Sequence, residues 1–449
     1  MYRKHTMTTK NMKNRKKENK NIKKQNTTNM NHFIKNIHIN NLLHLKNFDI
    51  PIADEKAPHL MLTGKNGSGK TILLNAIADF LDKIKNDINY EYINIENFSE
   101  SFNKKIESLF DYKSEVDPNT VNTLLDNFKR YENRVKEMNK KVYLTPKEAL
   151  KQITEEYQKE DFIIVFYQAA RMPAMQEIDS PTKPNYNVKG DVRNTVTDQF
   201  LNFLSDLKIQ EALARIENPQ DDANEISKWF INFENILQLI FKDKNLKLTF
   251  NYKDYSFKIL SEGKEFKFTE LSDGYAAILD IVVDLILKMQ SKNHLTRAYN
   301  KKGIVLIDEV ETHLHLELQK MIMPILTNVF PNIQFIISTH SPFVLSSLDN
   351  AVAFDLEHRE IINDLTQYSY EALAEGYFGV SSESSYMEMQ LEKLKSLLDK
   401  KTLSVSDKYD IKQLVANLDK VSESVSPNLV GTYLTIKNKY TSVLKAVLK

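Results

Sequence analysis

Eight residues, Gly64, Lys65, Asn66, Gly67, Ser68, Gly69, Lys70 and Thr71, follow the pattern G-x-x-x-x-G-K-[ST] at every fixed position. Glycines lack a Cβ, so this backbone can curl until several N–H groups point at one anion. The lysine after the last glycine can reach the β- and γ-phosphates of a nucleotide such as ATP. The threonine hydroxyl beside it suits Mg²⁺. The chain is glycine-poor, with 10 in 449 residues, and three of the ten fall within these eight positions. That concentration argues against a chance turn.

Two further stretches could complete such a site. Residues 303–309, GIVLIDE, are an apolar run ending in two adjacent acids. Charge at the end of a buried strand is costly unless compensated, and a metal ion can supply the compensation. Asp308 then serves the Mg²⁺, while Glu309, one residue on, can accept a proton from an attacking water. His340 ends another apolar run, and its spacing from Asp308 fits one helix plus one strand. The two runs are therefore expected to be neighbouring parallel strands. Residues 271–274, LSDG, precede an apolar helical stretch. Ser272 there reads either as a helix cap or as a phosphate contact at a helix N-terminus.

These residues need elements to hold them. Leu60, Met61 and Leu62 read as a buried strand entering the glycine-rich turn, and residues 72–81 as one apolar helix face leaving it. Before them, residues 33–50 read as two short strands around a polar turn. Residues 162–167, FIIVFY, form a continuous apolar run of the kind buried on both faces of a sheet. Arg171 lies just past its end, and the prolines and glycine that follow mark a long loop. Two amphipathic helices are expected at about 195–216 and 223–241, within a helical lobe at about 190–242. Three strands follow, near 246–250, 255–260 and 265–268. A charged helical insertion is expected at about 86–160, with a stripe of Val121, Leu124, Leu125, Phe128, Tyr131 and Val135. Residues from about 369 onward read as helical. The implied fold is α/β, with a nucleotide-binding domain over 32–355 and a helical region over 356–449.

Residues 1–31 carry ten Lys or Arg against the single acid Glu18, with few apolar side chains. Such a tail is expected to be a solvated, disordered segment, and Met7, Met12 and Met30 are candidate alternative starts. Lys+Arg of 61 against Asp+Glu of 60 leaves a formal net charge of +1, so global charge selects no partner. No apolar run reaches the length of a membrane-spanning helix. The absence of cysteine excludes disulfides and thiolate chemistry, and fits a cytoplasmic setting.

In order, the glycine-rich turn, LSDG, the Asp308–Glu309 strand end and His340 resemble the Walker A, signature, Walker B and switch histidine of ATP-binding-cassette ATPases. Asp273 and Tyr275 depart from that signature's consensus. HINNLLHLKNF (38–48), LTGKNGSGKT (62–71), LIDEVETHLH (306–315) and FIISTHSPFVL (335–345) narrow the likeness to RecF/SMC-like bacterial P-loop ATPases. Small members of that group serve in anti-phage systems, among them the ATPase subunits of Septu and retron systems. YFGVSSES (377–384) and SPNLV (426–430) resemble the group's C-terminal region, while Leu316 stands where the family has proline after THLH.

The resemblance implies a P-loop NTPase fold of ABC/RecF-like type, with a mixed sheet, a helical insertion and a helical C-terminal region. It also implies ATP and Mg²⁺ as cofactors, Gln168 as a metal-sensing glutamine, and catalytic roles for Lys70, Glu309 and His340. Two copies would pack head to tail, or in a larger assembly, so that Ser272 and Gly274 of one complete the site of the other. It further implies an effector partner, such as a nuclease encoded separately, and no membrane. The alternative is a DNA-repair or chromosome-maintenance ATPase that binds nucleic acid. A transporter subunit is disfavoured by the insertion and the helical C-terminus. A self-contained nuclease is disfavoured because few clustered acids follow His340.

Overall fold

The computed structural model describes residues 34–52, 59–86, 104, 118–146, 150–171, 175–178, 180–184, 191–217, 220–290, 301–362, 385–400, 402–421 and 427–448. The basic tail, most of residues 87–117, part of the loop after residue 171, and residues 377–384 lie outside them.

The apolar runs read from the sequence become a six-stranded sheet. Its strands are β3 (His59–Thr63), β5 (Phe162–Tyr167), β9 (Lys302–Ile307), β10 (Ile333–Ser338), β11 (Ala351–Asp355) and β12 (Glu360–Ile362), in the spatial order β12-β11-β3-β10-β9-β5. Every pairing is parallel except β11 with β12. Burial on both faces explains why β5 and β10 are buried at all six positions. Parallel pairing also sends the carboxyl ends of β3, β5, β9, β10 and β11 to one edge. As expected, β9 and β10 are neighbours.

Helix α1 (Lys70–Lys85) follows β3 and buries Leu73, Leu74, Ile77 and Leu81. It shares its core with the antiparallel hairpin β1 (Ile34–Leu42) and β2 (Leu45–Pro51). The described part of the expected insertion holds α2 (Pro118–Asn139), β4 (Val142–Pro146) and α3 (Leu150–Gln158). The helical reading of 86–160 therefore needs a correction at β4. This strand alternates buried Val142 and Leu144 with half-buried neighbours, and it pairs antiparallel with β1 to make the sheet β2-β1-β4. Gln334 on β10, buried, joins the two sheets. Its Oε1 accepts from Ile34 N at 2.7 Å and its Nε2 donates to Ile34 O at 3.2 Å.

The helical lobe comprises α4 (Phe200–Glu217) and α5 (Gln220–Phe241), followed by the meander β6 (Lys247–Asn251), β7 (Ser256–Ser261) and β8 (Lys264–Lys267). Aromatic rings fill it: Trp229 stacks on Phe233 at 5.5 Å and meets Phe203 edge-on at 5.2 Å. Helix α6 (Asp273–Met289) follows, and α7 (Leu316–Val329) and α8 (Pro342–Leu345) flank β10 in sequence.

The chain divides into two compact units between Gln367 and Tyr368. The second, where described, is helical: α9 (Ser385–Leu398), α10 (Val405–Leu418), α11 (Pro427–Lys439) and α12 (Thr441–Leu448). Leu394, Ile411, Leu418 and Tyr433 lie in its own core. Ser404 opens α10 with a capping box, accepting from Asp407 N at 3.1 Å while Asp407 Oδ2 accepts from Ser404 N at 2.9 Å.

Gly303 on β9 has no room for a side chain between β5 and β10. A Cβ there would lie 2.5 Å from both Ile163 Cγ1 and Ile163 O, and 2.9 Å from Ile333 Cδ1. Because backbone is among the obstacles, Gly303→Ala should destabilise the first unit by about 1–3 kcal/mol. Urea unfolding measures this, and an unchanged midpoint would contradict the packing described.

Candidate functional site at the carboxyl edge of the parallel sheet

At the end of β3 the backbone turns through Gly64 (φ 122°), Gly67 (φ 85°) and Gly69 (φ 101°) before α1 begins. Gly69 is the helix N-cap and has no side chain to cap with, and the first turn carries no acid. The N–H groups of that turn thus keep their positive field for an anion. Lys70, only 6% exposed, donates from Nζ to Gly64 O at 2.7 Å and to Lys65 O at 3.1 Å. Burial pushes its pKa down, while Glu309, Glu311, Asp308 and Asp355 pull it back up. Buried Ser68 Oγ has no hydrogen-bond partner within the protein, and the Thr71 residue is exposed.

Two walls hold this turn. On one side the β1–β2 hairpin brings His44 Nε2 within 3.0 Å of Ser68 O, and a Cβ on Gly69 would meet Leu45 Cδ1 at 2.8 Å. On the other side stands buried Asp355, at the end of β11. Its carboxylate accepts from Glu357 N at 2.7 Å and pairs with His358 Nδ1 at 2.7 Å. Asp355 raises the pKa of His358. Lys65 completes this wall by pairing with Glu357 at 2.9 Å.

Asp308 directly follows β9, is 1% exposed, and draws its support from the neighbouring strand. Ser338 Oγ donates to Asp308 Oδ1 at 2.5 Å and accepts from Glu309 N at 2.8 Å. Glu309 is half-buried and left-handed, at φ 45°. Gln168, exposed at the end of β5, is level with this pair, because Asp308 N donates to Tyr167 O at 2.8 Å. His340 is half-buried at the end of β10, and burial and Lys70 hold its pKa below the usual imidazole value. It is therefore neutral at pH 7.

Lys70, Asp308, Glu309, Gln168 and His340 thus lie on one edge. Ser272 and Gly274 lie at the start of α6. Ser272 occupies the N-cap position of α6, where the cap reading puts it, although its side chain makes no capping hydrogen bond. Gly274 is pressed against the turn after β9: a Cβ there would meet Leu318 Cδ1 at 2.9 Å and His313 O at 3.2 Å. Tyr275, which departs from the signature, stacks on Phe241 at 4.5 Å and joins α6 to the lobe.

Four residues with roles here escaped the sequence reading: Ser338, Glu311, Asp355 and Arg171. Glu311 Oε1 accepts from His340 N at 2.5 Å, and burial raises the Glu311 pKa. Arg171 bonds the backbone of residues 308–310. Asp355 could have been found by the argument that selected Asp308, since it too is an acid ending an apolar strand.

The residues fit a Mg²⁺-nucleotide. The glycine-rich cradle, the orphaned Ser68 hydroxyl, the exposed Thr71 and the buried Asp308 form a donor set suited to phosphates and a hard cation. Among the described residues no group of three or more His, Cys, Asp or Glu gathers into a protein cage for a metal. Mg²⁺ bound through phosphate oxygens, water and one or two protein ligands requires none.

A parallel sheet in which β10, leading to His340, separates this glycine-rich turn from the acid-tipped β9 has the layout of an α/β P-loop nucleotide-binding fold. The chain belongs to the family described as "AAA domain, putative AbiEii toxin, Type IV TA system", matched over residues 60–346. It is similar to the Septu protein PtuA of Bacillus mycoides (strain KBAB4), 27% identical over 430 residues, covering 92% of this chain and 53% of that protein. It also resembles the Retron Vc95 probable ATPase of Vibrio cholerae serotype O1 biovar El Tor, 34% identical over 140 residues, covering 30% of this chain and 26% of that one. The chain thus spans about half the length of PtuA and a smaller share of the retron protein. Among solved structures, the SMC head domain from Thermotoga maritima superposes with a TM-score of 0.33 at 14% identity, over 72% of this chain and 94% of that one. No helix of the described residues is long and apolar enough to cross a membrane.

Ser338→Ala removes one hydroxyl and strands both a donor, Glu309 N–H, and an acceptor, Asp308. The first unit should lose about 1–3 kcal/mol of stability. Chemical denaturation of the variant beside the unaltered protein gives the difference directly, and equal stabilities would refute the bridging role.

Proposed function

We propose that this chain binds and hydrolyses Mg·ATP, that ATP joins two copies head to tail, and that the joined state controls a separate effector, a nuclease, in anti-phage defence. The observation that carries the reading is the meeting of Lys70, Asp308, Glu309 and His340 at the carboxyl edge of one parallel sheet. The similarity to a Septu protein and to a retron probable ATPase supports the defence setting.

Each residue has a task. The N–H groups of residues 64–71 hold the phosphates, and the Lys70 ammonium faces the β- and γ-oxygens. Thr71, Asp308 and Gln168 would hold a Mg²⁺, which would supply charge neutralisation for the phosphoryl group. Glu309 accepts the proton of the attacking water. His340, neutral, offers an N–H to the γ-phosphate. Because exposed Ser272 makes no side-chain capping bond, its hydroxyl is free to meet the γ-phosphate of a second copy, while Gly274 lets the start of α6 sit against its own chain's turn after β9.

Glu309→Gln keeps the shape of the side chain and removes the proton acceptor. Hydrolysis should fall about 10²- to 10⁴-fold while ATP binding persists. Phosphate release run beside equilibrium binding of labelled ATP tests this, and near-normal turnover would place the base elsewhere.

The trans arrangement makes a separate demand. Ser272→Arg and Lys70→Ala should each be inactive alone, yet a mixture should recover part of the hydrolysis, since every mixed dimer holds one site with both halves intact. A mixture as inactive as its parts, with dimers established by light scattering, would mean that Ser272 does not act across an interface.

A further inference from the structure

Glu309 occupies a left-handed backbone conformation, φ 45°, which residues carrying a Cβ rarely adopt. Something must hold it there. The turn that contains it also directs three consecutive carbonyls, of Asp308, Glu309 and Val310, toward one point. At that point lies the Arg171 guanidinium: Nη1 donates to Asp308 O at 3.1 Å, and Nη2 donates to Glu309 O at 3.4 Å and Val310 O at 3.1 Å. Three converging carbonyls repel one another unless a cation with a spread of donors sits among them, and a planar guanidinium is the side chain that provides this. Nε, also buried, has no partner, so every protein hydrogen bond of this guanidinium serves that turn.

The origin of Arg171 adds meaning to the contact. It lies three residues past Gln168, in the segment leaving β5. Asp280 of α6 and Glu311 lie close enough to favour its charged form against burial. Four residues before Arg171, at the last position of β5, Tyr167 OH donates to Asp284 of the same helix at 2.6 Å. Helix α6 and the end of β5 therefore meet beside the guanidinium.

We infer that Arg171 is the positioning residue for Glu309. It holds the 308–310 turn so that the carboxylate is aimed at the phosphate edge, and it passes any shift of α6 or of the β5 end to that carboxylate. The inference rests on Glu309 being the proton acceptor proposed above.

The test uses the full chain with Arg171→Ala, Arg171→Lys and Glu309→Gln side by side. Arg171→Ala should lower kcat about 10²-fold, the cost of a small misplacement of a reacting group. Equilibrium ATP affinity should stay within twofold, because no phosphate contact is removed. Arg171→Lys should recover only part of the rate, since one ammonium cannot span three carbonyls. Millimolar guanidinium should restore turnover to Arg171→Ala but not to Glu309→Gln. Wild-type kcat in either Arg171 variant would overturn the inference, as would a loss of kcat and affinity in parallel without rescue. If Arg171→Ala does not fold, Arg171→Lys decides by the same kcat criterion. An active Glu309→Gln would instead remove the proton acceptor itself, a failure distinct from that of Arg171.

Discussion

A hydroxyl shared between two strands governs this site. Asp308 is a carboxylate in an almost dry position, and a buried charge survives only where its lone pairs are met. Ser338 on the adjacent strand meets one oxygen and, with the same atom, receives the N–H of Glu309. Both contacts require β9 and β10 to be parallel neighbours in one register, and Ile307 is indeed opposite Ile337. The strand order, the placement of His340 two residues beyond Ser338, and the direction in which the chain leaves β9 all follow from that pairing.

The phosphate loop is governed by a different constraint, close approach from both sides. Gly69 has no room for a Cβ against Leu45 and His44, and Gly64 has little against Asp355 and Ser68. The loop is thus clamped between the β1–β2 hairpin and the turn after β11, while Gly67, which has nothing nearby, needs only its left-handed φ. In a chain so poor in glycine, three within eight residues answer to packing as well as to backbone conformation.

Much of this was legible in the sequence, and physical reasons separate what was from what was not. The long buried runs of β5, β9 and β10 and the apolar face of α1 leave a periodic trace, so their positions and the Asp308–His340 adjacency could be read. β4 left little trace, because it has five residues, lies between charged helices, and pairs with a strand about a hundred residues earlier. β12 has three residues, too few to leave a pattern, so the β11–β12 hairpin went unread, although the apolar run of β11 ending in Asp355 was there to be seen. Arg171 and Glu311 act on backbone groups, and a bond from a side chain to a distant carbonyl or N–H imposes no pattern on the surrounding residues. Ser272 could be placed at a helix start, but its unused hydroxyl depends on geometry that a motif does not encode.

Gln334 carries a consequence of another kind. A primary amide reproduces the hydrogen-bonding face of a peptide, one donor beside one acceptor, and here it substitutes for a missing strand pairing between two sheets. Glutamate would lose the donor, asparagine would fall a methylene short, and leucine would leave both Ile34 groups unmet in a dry interior. The range of residues that drift can admit at this position is therefore very narrow, although no reacting atom is nearby. Across relatives, a polar side chain held unchanged at this place in β10 would be a mark of architecture, easily mistaken for a mark of chemistry because it sits four residues from Ser338.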